Sequence, residues 1–85
     1  MAKTIRSEGH EALCKALIDA RKAAGLNQAD LAHRLRCHES FIARVESGER
    51  RVDVVELVVL ARALEADAAK ILGAVEEVTP TDHRI

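Results

Sequence analysis

Apolar residues recur along this chain at steps of three and four, and the alternation expected of strands is almost absent. Leu13, Leu17, Ala20 and Ala24 lay one stripe along a first helix over 8–24, and Gly25 ends it by its freedom to turn left-handed. Asn27 is a good cap for a second helix, Gln28–Leu35, with Leu31, Ala32 and Leu35 facing inward. After three residues a third helix runs over Glu39–Ser47, with Ile42 and Val45 inward and Gly48 closing it. Asp53 caps a fourth helix, Val54–Leu64, and Asp67 a fifth, Ala68–Val78. Loops this short force helix on helix. The expected class is therefore all-α: one compact five-helix domain over 8–78, with tails at 1–7 and 79–85.

The fourth helix carries more apolar positions than one buried stripe needs. Val54, Leu57, Leu60, Ala61 and Leu64 fill the inward side, which leaves Val55 and Val59 on another. A helix apolar nearly all round is covered on more than one side. Ile71, Val75 and Val78 can extend that second patch along the fifth helix. The expectation is a symmetric homodimer joined through 54–78. Its physical motive is size, because an 85-residue domain buries only about 60–65% of its unfolded surface and gains core by pairing.

Composition narrows the possible functions. The chain has one Phe, no Tyr and no Trp, which excludes an aromatic cage or a base-stacking platform for single strands. The longest apolar run, 57–61, is far short of the ~20 residues of a membrane span. No hydrophobic block near the start reads as a secretory signal, and two cysteines are too few for a disulfide framework. A cytoplasmic protein with no membrane partner is expected. The net charge of −1 conceals an asymmetry. Over 21–51, seven basic residues face four acidic ones, for +3, and the remainder carries −4. A basic middle in an acidic frame points one face at a polyanion.

Two short helices joined by three residues, within the basic stretch, make a helix-turn-helix over 28–47. The segment 26–35 (LNQADLAHRL) resembles the second helix of the phage-repressor family of Cro-like and XRE-like regulators. The segments 40–50 (SFIARVESGER) and 54–64 (VVELVVLARAL) are similar to its third helix with following loop and to its fourth. The likeness runs in register over about 17–72 and implies a lambda-repressor-like fold.

The resemblance also assigns roles. The third helix is expected in the major groove of double-stranded DNA, with Glu39, Ser40, Ala43 and Arg44 towards the base edges. Arg44 can grip a guanine with two hydrogen bonds, and Glu39 can accept from a cytosine amine. Gln28, Arg36, His38, Arg50 and Arg51 are the phosphate-binding candidates. Arg21 and Glu46 match a structural ion pair linking the first helix to the end of the third. Two positions depart from the family pattern. Arg36 stands where glycine is usual, at positive φ, and His38 stands where a better-capping Ser or Thr is usual.

The expected function is sequence-specific regulation of transcription by a homodimer on an inverted-repeat operator. Phage-type repressors and restriction–modification controllers are examples of this size. The competing reading is a protein-interaction module, such as an antitoxin-like partner-binding domain. An enzyme is not expected, since no phosphate-cradling glycine loop or Ser/His/Asp arrangement is present. His33, Cys37 and His38 lack the spacing of a metal motif, so no metal, cofactor or small-molecule effector is expected.

Overall fold

The structure is a computed structural model, and it describes residues 7–85. The expected N-terminal tail lies outside these residues except for Ser7, which is no tail but the cap of the first helix, its hydroxyl accepting from the His10 amide at 3.2 Å. Five helices follow in order: α1 (Glu8–Ala23), α2 (Gln28–Leu35), α3 (Glu39–Ser47), α4 (Val54–Leu64) and α5 (Ala68–Val78). No strand occurs among the described residues.

Local chemistry sets these boundaries. Asn27 and Asp53 each begin a helix with a capping box. The Asn27 side chain accepts from the Asp30 amide at 2.7 Å while Asp30 accepts from the Asn27 amide at 2.9 Å. Asp53 and Glu56 do the same at 2.7 and 3.1 Å. Asp67 caps α5 by accepting from the Ala69 amide. Gly48 stops α3 at φ 86. The first helix ends at Ala23, one residue earlier than its stripe suggests, because Ala24 already serves as its C-cap.

One core joins all five helices. Leu17, Leu31, Ala32, Ile42, Val45, Leu60, Ala61, Leu64 and Ile71 form a buried cluster. Full burial of each large aliphatic side chain contributes about 1.5–3 kcal/mol. Cys14 is also buried, and its thiol donates to the Val45 carbonyl at 3.3 Å, tying α1 to α3. α1 and α5 share the broadest helix contact. There the chain needs a bare backbone, since a Cβ on Gly9 would collide with the Thr79 hydroxyl.

Two apolar assignments change. Val54 is 77% exposed and does not belong to the inward stripe. It is the first residue of α4, one turn before the helix enters the core. Ile71 is only 6% exposed and packs in the protomer's own core, so it cannot extend an outward patch.

Candidate nucleic-acid interface

The third helix divides cleanly. Ile42 and Val45 are buried and hold it on the core, whereas Glu39, Ser40, Arg44 and Ser47 are exposed and Ala43 is half-buried. Three of the four side chains expected to read bases thus stand exposed on the outward side of α3, with Ala43 half-covered. The Arg44 guanidinium makes no hydrogen bond or ion pair within the described residues.

The turn before α3 has the left-handed shape for which glycine is expected. Arg36 sits at φ 55 and ψ 46, and the amide of Cys37 reaches back to the Ala32 carbonyl at 3.0 Å. An L-residue held there costs about 1–2 kcal/mol. His38 precedes α3 without any side-chain cap bond. Both residues are exposed beside the first turn of α3.

Beneath the outward face lies a polar brace. Arg21 and Glu46 meet side-on, Nε to Oε2 at 2.7 Å and Nη2 to Oε1 at 3.0 Å, and Arg21 Nη1 also donates to the Leu26 carbonyl. Their side chains are 11% and 7% exposed. Hydrogen bonding to Glu46 raises the Arg21 pKa above its ordinary value, against the opposing effect of burial. Gln28 completes the group, its amide nitrogen donating to Glu46 Oε1 at 2.9 Å. The half-buried Gln28 side chain thus has one amide hydrogen on Glu46.

Arg50 is similarly engaged. Its Nη1 and Nη2 fork onto Glu56 at 2.9 and 3.0 Å, and Nη1 also donates to the Arg51 carbonyl at 2.6 Å. Its guanidinium carbon lies 4.6 Å from the centre of the Phe41 ring. Hydrogen bonding to Arg50 holds the Glu56 carboxyl below its ordinary range, with help from the Asp53 amide. Sequence reasoning missed this arrangement. Asp53-x-x-Glu56 is a legible capping box, but nothing local reveals that Arg50 folds back onto it. The segment 49–56, the loop after α3 with the first turn of α4, holds two arginines and three acids, so its formal charge is −1. Arg51 is exposed on the same loop.

Comparison with known proteins now decides the family. A model described as a helix-turn-helix domain matches residues 11–72. A solved XRE-family like protein from Pseudomonas syringae pv. tomato str. DC3000 is 40% identical, with a TM-score of 0.79 over 92% of this chain and 95% of that one. The chain belongs to the XRE family of helix-turn-helix DNA-binding regulators. The clp gene regulator ClgR from C. glutamicum is a more distant likeness, 26% identical, with a TM-score of 0.74 over 85% of this chain and 92% of that one. No curated protein is significantly similar. In XRE terms, α2 and α3 are the helix-turn-helix pair. No helix among the described residues is long and apolar enough to cross a membrane, and no group of three or more His, Cys, Asp or Glu among them is placed to hold a metal ion.

Proposed function

We propose that the protein regulates transcription by binding duplex DNA sequence-specifically, α3 lying in the major groove. The observation that carries this reading is the exposed 39–44 face of a helix whose other side is locked into the core. Arg44 reads a guanine, and Glu39, Ser40 and Ala43 complete the contact to base edges. Arg36, His38 and Arg51, with the backbone amide of Gln28, hold the phosphates that set its register.

A single copy reads few base pairs, and the reading includes a homodimer on half-sites about 34 Å apart. Val55 and Val59 of α4, 72% and 45% exposed, support it, with the exposed Val78 and the half-buried Val75 on α5. Leu72, also exposed, joins the patch in place of Ile71. Scattered apolar residues are ordinary on a surface, but three exposed valines, Val54, Val55 and Val59, within six residues of one helix form a concentrated patch.

Selection of bound sites from random DNA tests the proposal. It should return an inverted repeat, and Arg44→Ala should relax preference at one symmetric pair of positions by about 1–3 kcal/mol. Sedimentation of Val59→Glu tests the joint: the variant should become monomeric, and an unchanged dimer excludes this interface. The protein-interaction reading draws on one observation, the −1 charge of the segment 49–56. Binding that ignores both sequence and salt would favour it.

A further inference from the structure

The basic residue nearest the end of the reading helix is not disposed as a phosphate ligand. Both terminal nitrogens of Arg50 are bonded within the protein, to Glu56 and to the Arg51 carbonyl. Its planar face lies on Phe41, in the first turn of α3, and its carboxylate partner lies in the first turn of α4. Phe41 shares a groove with Leu35, Cys37, Val55, Val59 and Leu60, and so marks the seam between the helix-turn-helix and α4. Arg50 therefore joins three parts: the base-reading turn, the loop after α3, and the capping box of α4. A swing out to a phosphate would break a forked ion pair and uncover the ring, and it would leave the Glu56 carboxylate close to a polyanion.

We propose that Arg50 is a positioning residue for DNA reading. Clamped by Glu56 and laid on Phe41, it fixes the seat of the first turn of α3 against α4, and it carries no phosphate. The inference rests on the DNA-binding reading of α3 and adds a specificity determinant remote from the bases. It also gives Glu56 an unexpected sign. A carboxylate near DNA ordinarily weakens binding, but this one strengthens it by holding the arginine in place.

The test measures affinity for the selected site and for random DNA over a range of salt, using the full chain, Arg50→Met and Glu56→Gln. A lost phosphate contact lowers the log–log salt slope by about one. A simple loss of fold lowers both affinities together and leaves their ratio alone. Positioning predicts a third pattern. The ratio of specific to random binding should fall about fivefold or more in both variants, with the salt slope of Arg50→Met unchanged. Glu56→Gln should bind the selected site more weakly although it removes a negative charge. In the free protein, amide exchange over 39–43 should quicken in Arg50→Met while the core of α1 keeps its protection. A salt slope reduced by one, an unchanged ratio, or tighter binding by Glu56→Gln overturns the role of Arg50 while leaving α3 as the reading helix. If the unmodified chain shows no salt-dependent binding to any duplex, the DNA reading itself fails and this inference falls with it.

Discussion

The two ends of α3 are built on opposite terms. At its C-terminal end every local demand is met. Gly48 takes the left-handed turn that suits it, and Glu46 is held by Arg21 and Gln28. At its N-terminal end the same demands go unmet. An arginine occupies the left-handed position, and the cap residue makes no side-chain bond. Arg50, reaching back from beyond the far end, lies over Phe41 in this first turn. The difference teaches that one nine-residue helix is braced by polar contacts at its C-terminal end and left poorly capped at its start. The outward side chains, from Glu39 in the first turn to Arg44 in the last, are ones whose identity folding does not dictate.

Breaking the anchored end should have the largest effect. Arg21→Met leaves the nearly buried Glu46 carboxylate with only Gln28, and loss of one partner from such a pair costs about 3–5 kcal/mol. A domain has only about 5–15 kcal/mol in all, so urea unfolding followed by circular dichroism should show a steep fall in midpoint. Gly48→Ala should cost about 1–2 kcal/mol, since an L-residue at φ 86 is strained. Its thermal midpoint should drop by several degrees, on the order of 4–8 °C per kcal/mol.

Changes at the other end should go the opposite way. His38→Ser supplies the missing cap and should add about 0.5–1 kcal/mol, read from the same urea curves. Arg36→Gly relieves the strained turn but gives the unfolded chain more freedom, so the net gain should be smaller, about 0.5 kcal/mol. If Arg36 also meets a phosphate, the stabilised variant should bind DNA more weakly, its salt slope reduced by about one. A variant that loses stability instead would show that the arginine makes a compensating contact.

The smallest effect concerns pH. Glu56 has a pKa held below its ordinary 4.5, chiefly by the Arg50 hydrogen bond. A depressed carboxyl contributes stability that is present above the unfolded value and is lost as pH falls through the lower folded value. Thermal midpoints measured downward from pH 5 should therefore converge between the unmodified chain and Glu56→Gln.

Much of this architecture was legible before any coordinates. The bounds of α2, α3, α4 and α5 follow from Asn27, Asp53, Asp67, Gly48 and the apolar steps between them, because caps and stops act within a few residues. The outward set on α3 was legible for the same reason, once Ile42 and Val45 were placed inward. What escaped depended on how helices rotate against one another. Ile71 lies with Ala68 on the buried side of α5, a choice made by packing against the rest of the bundle. Val54 matches the stripe of α4 by spacing yet sits beyond the edge of the core. Gln28 and Arg50 each carry a polar group that suits a phosphate, and each is claimed by a carboxylate that only the folded chain brings near.

Phe41 holds the sole benzene ring of the chain, and it lies at the seam where α3 meets α4. Its ring current consequently falls on the methyl groups of Leu35, Val59 and Leu60, which line the same groove. Nuclear resonance frequencies of those methyls thus provide a label-free gauge of that joint. A drift towards random-coil positions would register the reading helix lifting from its seat, even while the rest of the bundle stays intact.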